Sequence, residues 1–393
     1  MKRRKAVALL IETSNAYARG LLEGIVKYQR EHDRWSIYLP EQERGAKPPL
    51  WLGQVALDGV IARIETAAIA RAVSDLHVPV VDVSSARRVA HVPWIETDDA
   101  AIAQLAFDHL YERGFRSFGF CGPQGLNWSR WRCEHFVQCC RTAGNACSVM
   151  LTPSPYGRGQ NDRNGSDLPS HALAEWLAAL PKPTGIFCAY DIQAQIVLDR
   201  CRNLGIAVPE QLSVIGVDND PLLCDLARPS LTSIAPDAIG AGYFAAEWLE
   251  QAMSSRKRVR PEASAPMRLM PPIGIVARQS TDVLAVDDPN VAKAIQFIRD
   301  HACDGIQVED VLRHVAMSRR MLETRFVAAT GKTPHEMIAM MRLVRVKELL
   351  LQTDLSLEAI AERAGFEHPE YMSVAFRKAY GLPPGRYRKQ SLG

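Results

Sequence analysis

Asp191 and Asp218 each end a short apolar run, "GIFCAYD" (185–191) and "LSVIGVD" (212–218). Ser14 and Asn15 follow a third such run, "KAVALLIE" (5–12), and Asp98 immediately precedes a helical pattern. Arg132 falls in a predicted turn leading into a helix over 131–143, with Trp128 and Trp131 close by. Together these residues offer two-oxygen acceptors, an amide, a hydroxyl and a forked donor. That inventory suits a small polyhydroxylated ligand, whose neighbouring hydroxyls take bidentate hydrogen bonds while an indole covers its weakly apolar face. Trp128 is the candidate for that ring. The competing reading makes the three aspartates helix caps or turn formers and puts the tryptophans in the core. Covalent and phosphoryl chemistry have no support: the chain contains no G-x-S-x-G, no G-x-x-x-x-G-K and no G-x-G-x-x-G. With no histidine pair at ligand spacing and no C-x-x-C among nine scattered cysteines, no metal and no cofactor is expected.

A second constellation lies towards the C-terminus, and it occurs twice. In "RHVAMSRRMLETRFVAATGKTPHEM" (313–337) and "AERAGFEHPEYMSVAFRKAYGLPPGRYR" (361–388), Phe326 and Phe376, Gly331 and Gly381, and Pro334 and Pro384 are identical pairs at an offset of 50. Leu322 and Met372 are an apolar pair at the same offset. Upstream the offset drops to 49, pairing Val315 with Ala364 and Ala316 with Gly365, so one residue is inserted in the second turn. Leu322, Phe326 and Ala329, and then Met372, Phe376 and Ala379, are spaced to form one apolar stripe per helix. The opposite faces carry Arg319, Arg320, Glu323, Thr324 and Arg325 in the first copy, and Glu370, Ser373, Val374 and Arg377 in the second. Ser318 is placed to cap the first of these helices. Two copies are too few for a solenoid. A pair of helix-turn-helix units, each laying its second helix in a major groove, accounts for the pattern. The competing reading is a helical dimerisation module with solvated charged faces.

These residues need elements to hold them. Short apolar runs alternate with helical patterns through most of the chain: strands are expected at 5–12, 35–39, 58–64 and 78–84. After Asp98 a new half follows, with helices at 99–113, 131–143, 171–180 and 192–204 and strands at 115–122, 147–152, 185–191 and 212–218. Apolar strands separated by helices mean parallel sheet covered on both faces, with ligands at the carboxyl ends of the strands. The fold class is therefore a two-lobed α/β sensor domain followed by an all-α domain with two helix-turn-helix units. The expected bounds are 1–283 for the first domain, crossing between lobes near 98–122 and 236–270, a linker at 284–290, and 291–393 for the second. Within the second, the first unit spans about 308–329, a connecting helix 334–352, and the second unit about 356–379.

Composition agrees. The 393 residues are 47% hydrophobic, enough for two or three cores, with a net charge of +3. From 289 to 393 there are 16 Lys and Arg against 12 Asp and Glu, a modest bias towards a polyanionic partner. The start "MKRRKAVALLIET" has too short an apolar run for a signal peptide, and no stretch is long enough to span a membrane, so a cytoplasmic protein is expected.

"VPEQLSVIGVDND" (208–220), "LTSIAPDAIGAGYFAAEWL" (231–249) and "PPIGIVARQSTD" (271–282) resemble the ligand domain of LacI/GalR-type repressors, itself similar to periplasmic sugar-binding proteins. "RLVRVKELLLQTDLSLEAIAERAGFEHPEYMSVAFRKAYGLPPGRYR" (342–388) resembles the DNA-binding domain of AraC/XylS-type regulators over its whole length. The two resemblances imply a periplasmic-binding-protein-like sensor joined to a reader of double-stranded operator DNA. They imply an activator that works as a homodimer and contacts RNA polymerase, with a small sugar as effector, D-xylose favoured. Matched to the repressor pattern, Arg132, Asp191 and Asp218 fall at sugar-contacting positions. Base-reading positions fall on Arg320, Glu323 and Thr324, and on Pro369, Glu370 and Ser373. Arginine suits guanine and glutamate suits cytosine. Val374 stands where that family often has arginine. Ala316 occupies a turn position where glycine is favoured, at a cost of about 1 kcal/mol if its φ is positive.

Overall fold

The computed structural model describes residues 3–32, 35–41, 43–154, 168–255, 266–282 and 288–392. The polar loop 156–170 and the linker expected at 284–290 fall largely outside them. The chain divides into two compact units: Met1–Leu204 with Ser213–Asp282, and Gly205–Leu212 with Val283–Gly393.

In the first unit, β1 (Lys5–Leu10) is apolar after its first residue and buried over the same stretch, as a parallel strand covered on both faces must be. It pairs in parallel with β2 (Trp35–Tyr38) and β3 (Gly59–Ala62). β4 (Val80–Asp82), β5 (Trp94–Thr97) and β11 (Met267–Met270) complete a six-stranded sheet in the order β11-β5-β4-β3-β1-β2. A second sheet has the order β12-β10-β9-β8-β6-β7. Its strands are β6 (Phe118–Pro123), β7 (Cys147–Thr152), β8 (Thr184–Cys188), β9 (Leu212–Val217), β10 (Thr232–Ala235) and β12 (Gly274–Val276), the last antiparallel to β10.

Helices α1 (Ala16–His32), α2 (Ala67–Ser74) and α8 (Ala238–Ser254) cover the first sheet. α3 (Asp99–Glu112), α4 (Asn127–Thr142), α5 (Leu168–Ala179), α6 (Asp191–Asn203) and α7 (Pro221–Leu226) belong to the second lobe. α1 and α8 touch backbone to backbone, because a Cβ on Gly24 would meet the Ile239 carbonyl and one on Gly242 the Leu21 carbonyl. The chain crosses between lobes after β5, after β10 and again between β11 and β12. The third crossing, at 271–273, was not expected. Neither was β5, only four residues long, nor the edge strand β11.

The second unit is helical: α9 (Pro289–His301), α10 (Val308–His314), α11 (Arg319–Thr330), α12 (Pro334–Gln352), α13 (Leu357–Arg363), α14 (Pro369–Tyr380) and α15 (Pro384–Leu392). It also includes Glu210, whose buried carboxylate lies 3.0 Å from the Arg299 guanidinium of α9. Two separate cores form. Leu322, Phe326, Met337 and Ile338 sit in one, and Val346, Leu349, Leu350, Met372 and Phe376 in the other. α12 gives its first half to one core and its second half to the other, which is why its apolar residues run nearly all round.

The two reader helices end alike, on Gly331 and Gly381 in left-handed conformation with φ of 70° and 79°. Ser318 caps α11, accepting from the Met321 amide at 3.3 Å. Two expectations change. Ala379 is exposed, and Tyr380, one residue on, packs on the second core instead. Ala316 is not among the residues of positive φ, so the first turn carries no such strain. Gly365 at the matching place has φ of 74°, and a Cβ there would meet the Cys303 carbonyl.

Candidate functional site

The carboxyl ends of both sheets face a pocket between the lobes of the first unit, with about 690 Å³ of empty space including its mouth. From the first lobe it is lined by Asn15, Tyr17, Arg44, Arg63, Ser84, Ser85, Glu96 and Thr97. The second lobe contributes Trp128, Arg132, Tyr190, Asp191, Asp218 and Asp220. Strand geometry explains the gathering, since Arg63 follows β3, Ser84 follows β4 and Asp218 follows β9 by one or two residues.

Arg132 is the most heavily engaged. It lies inside α4 rather than in a turn before it, since the helix begins at Asn127. Its Nε donates to Asp99 Oδ1 at 2.7 Å, Nη1 to the Ala189 carbonyl at 2.7 Å, and Nη2 to Thr97 Oγ1 at 3.3 Å. It thus joins α4, the end of β8 and the first crossing. Asp191 is no helix cap either. Its Oδ1 accepts from Ser233 Oγ at 2.6 Å and its Oδ2 from the Asp220 amide at 2.9 Å, tying α6 to β10 and α7. Asp218 and Asn219 both have positive φ, 112° and 46°, an uncommon pair for residues with side chains and a place where backbone strain is held at the pocket edge. Asn15 contacts the pocket while its Oδ1 accepts from the Ala18 amide at 2.9 Å and its Nδ2 donates to Glu12 at 2.8 Å.

Trp128 is buried at the wall, edge-on to Tyr190 with centroids 5.4 Å apart, and the Arg132 guanidinium lies 5.2 Å from its ring. Two candidates stand elsewhere. Asp98 is the N-cap of α3, accepting from the Ala101 amide at 3.0 Å, and its neighbour Asp99 is the carboxylate that meets Arg132. Ser14 is exposed and outside the lining. Sequence reasoning missed Tyr17, Arg44, Arg63 and Glu96. Arg63 carried a usable signal, being charged at the end of a buried parallel strand.

Burial raises the pKa of several carboxyl groups in the pocket and just behind it. Burial pushes Glu96 up to about 8, reinforced by the Asp99 charge, and pushes Asp82 up to about 7. Asp191 and Asp218 are also raised, by burial first. The buried side-chain oxygens without a hydrogen-bond partner among the described residues include Glu96 Oε1, on the lining, and Asp99 Oδ2, behind it. Raised carboxyls hold protons in the folded state that the unfolded chain has released above about pH 4.5. Stability is therefore expected to fall as pH rises from about 5 to 8, by at most about 1.4 kcal/mol per pH unit for each group. Glu96→Gln should flatten that slope, as followed by denaturant unfolding at each pH.

On the second unit, Arg319, Arg320, Thr324 and Arg325 are exposed along α11, and Glu323 is half-buried. They are not equally available. Arg319 is paired with Glu309 at 2.8 Å and Glu323 at 3.1 Å, and Arg325 with Asp288 at 2.8 Å. The Arg320 guanidinium has no ion-pair partner among the described residues. On α14, Glu370 and Arg377 are exposed, Pro369 and Ser373 half-buried, and Tyr371 and Val374 stand out at 71% and 70% exposure.

Comparison with known proteins agrees with this division. Residues 6–100 match the model of the XylR N-terminal domain, 107–281 the periplasmic binding protein-like domain, and 311–390 a helix-turn-helix domain. The xylose operon regulatory protein of Escherichia coli (strain K12) is 35% identical over 399 residues, covering 98% of this chain and 97% of that one. The chain belongs to the xylose operon regulatory protein family. Its Haemophilus influenzae member is 32% identical over 390 residues, with 97% of each chain covered. A solved structure described as the xylose-binding transcription activator xylR superposes with a TM-score of 0.82 at 33% identity, over 99% of this chain and 98% of the other. A LacI-type regulator with bound ribose shares the sensor fold at 19% identity, with a TM-score of 0.53 over 70% of this chain.

Proposed function

We propose that this member of the family binds D-xylose in the inter-lobe pocket and, when loaded, activates transcription through its two helix-turn-helix units. The pocket chemistry carries the sensing half. Buried polar groups are almost always hydrogen-bonded, yet Glu96 Oε1, on the pocket lining, finds no partner among the described residues. Sugar hydroxyls supply such partners, with Asp191, Asp218, Asn15 and Arg132 around them and Trp128 beside them. D-xylose is favoured because the relatives matched along their length are named for it. The sugar shifts a closed–open equilibrium of the lobes, and that shift reaches operator DNA through a homodimer in the cytoplasm that contacts RNA polymerase. Binding rather than turnover is the chemistry of this pocket.

A thermal-shift series tests the effector. D-xylose should raise the melting temperature above arabinose, ribose and glucose, with about 2.7 kcal/mol gained at 100 times its Kd. No shift with any pentose sinks the assignment.

The reading helix is tested at Arg320, the arginine of α11 without an ion-pair partner among the described residues. Arg320→Ala should weaken operator binding by about 1–3 kcal/mol and relax preference at one base position while leaving the salt slope nearly unchanged. Arg377→Ala should instead weaken all sequences alike and flatten the salt dependence. Missing-base interference footprinting separates the two, and unaltered base preference in Arg320→Ala removes that residue from the readers.

A further inference from the structure

Arg87 lies in the loop between β4 and β5, in the first lobe, and it does not line the pocket. Its guanidinium carbon is 3.8 Å from the centre of the Trp94 ring and 4.4 Å from that of Trp131. Trp94 opens β5 in the same lobe, whereas Trp131 belongs to α4 in the other. Arg87 is therefore a cation held between two indoles on opposite sides of the cleft. Its Nη2 also reaches Glu96 Oε2 at 3.3 Å, which ties the sandwich to the pocket wall.

Three further observations bear on the same spot. Arg87 has a left-handed backbone, φ 49°, a conformation unfavourable for a residue with a side chain and retained only where the surroundings impose it. Two residues earlier, the Ser85 carbonyl accepts from Asn127 Nδ2 of α4 at 2.9 Å, a second bond across the cleft. Elsewhere along the cleft, Arg19 of α1 pairs with Asp220 at 3.0 Å, the cap of α7. One turn of α4 thus carries both rings with different duties: Trp128 lines the pocket, and Trp131 receives Arg87. Moving the lobes apart must pull Trp131 off Arg87 and break the Asn127 bond, whether or not a sugar is present.

We propose that the Trp94–Arg87–Trp131 sandwich is a latch that holds the lobes closed before the sugar arrives, and so sets the effector concentration at which the protein responds. Arg87 is a positioning residue here and touches no ligand. Its part in setting sugar sensitivity rests on the D-xylose reading above, whereas its part in closure does not. When only a fraction of the molecules is in the binding-competent state, the apparent Kd rises by the reciprocal of that fraction. Cation–ring contacts of this kind are strong enough to shift such a fraction by about tenfold.

The test uses the full-length protein. In the absence of sugar, amide exchange followed by mass spectrometry should quicken in Arg87→Ala within residues 84–96 and 124–133, with the helices of the second unit unaffected. The Kd for D-xylose, from calorimetry, should rise as well, and the two fold-changes should multiply to about ten, because a tenfold fall in the closed-to-open ratio is shared between them. Trp131→Ala should reproduce both effects, and Trp131→Phe, which keeps a ring, should restore most of the loss. Arg87→Gly separates latch from strain, because it relaxes the left-handed backbone while deleting the cation; it should fold at least as stably as the parent yet still open. Unchanged exchange in Arg87→Ala and Arg87→Gly overturns the latch. Faster exchange in a protein that binds no D-xylose upholds the latch and removes the sugar assignment instead.

Discussion

Arg132→Ala should abolish the response to sugar and also lower the stability of the sensor, by about 3–5 kcal/mol. Both effects follow from where the guanidinium sits. It is buried, makes three hydrogen bonds, and faces the pocket, so it is at once a candidate ligand contact and the joint between α4, β8 and the first crossing. Removing it leaves the Asp99 carboxylate buried without its cation. That loss is far costlier than losing an exposed pair, because no water replaces the partner. Arg132→Met retains the aliphatic volume but not the charge, and Asp99→Asn combined with it removes the stranded carboxylate. The double variant should therefore recover a large share of the lost stability while remaining blind to sugar. Denaturant unfolding reads the first property and calorimetric titration the second. A single Arg132→Ala protein that unfolds at the parent's midpoint would show that the buried network contributes nothing. One that still binds sugar with the parent's affinity would take Arg132 out of the site.

The reach of sequence reasoning shows in this same residue. The runs "KAVALLIE" and "LSVIGVD" announce parallel strands because burial on both faces leaves no room for polar residues, so the ends of β1 and β9 were legible, and Asn15 and Asp218 with them. The start of α4 was not. Its N-cap is Leu126, which offers no side-chain acceptor, so the ordinary capping signal was missing and Arg132 read as a turn residue. Asp98 carries the opposite lesson. It has the type and position of a cap and is one, while Asp99, one residue on, turns inward to Arg132.

Tyr17, Arg44 and Glu96 lie in three distant segments of the first lobe and meet only through its tertiary fold, which no local spacing records. β5 and β11 were missed for a similar reason. Each is four residues long and carries a polar residue, Glu96 or Arg268, within the strand. In the reader domain, repetition did what periodicity alone could not. The offset of 50 located both units, although Tyr380 rather than Ala379 closes the second stripe, the two lying three and four residues on from Phe376 and so flanking it on either side.

Phe376→Ala should cost the second helix-turn-helix about 3–5 kcal/mol and leave the first one folded. The ring is fully buried, with Tyr380 4.5 Å away and Tyr387 5.3 Å away, centroid to centroid. Its core draws Val346, Leu349 and Leu350 from α12 and nothing from α9, α10 or α11, which close around Phe326 instead. Because α12 supplies different halves to the two cores, the first half keeps its packing when the second loses its own. Amide exchange in the full-length variant should rise sharply in 355–380 and little in 308–330. The consequence for DNA answers why the unit is made twice. If each copy contributes its own phosphate contacts, the slope of log affinity against log salt should fall to about half, since each neutralised phosphate adds about 0.9 to that slope. Phe326→Ala should give the mirror result, emptying α11 of its Arg320 contribution and keeping α14. An unchanged salt slope in Phe376→Ala, with exchange showing that α14 has melted, would mean that the second copy never touches the backbone and that α11 alone reads the operator.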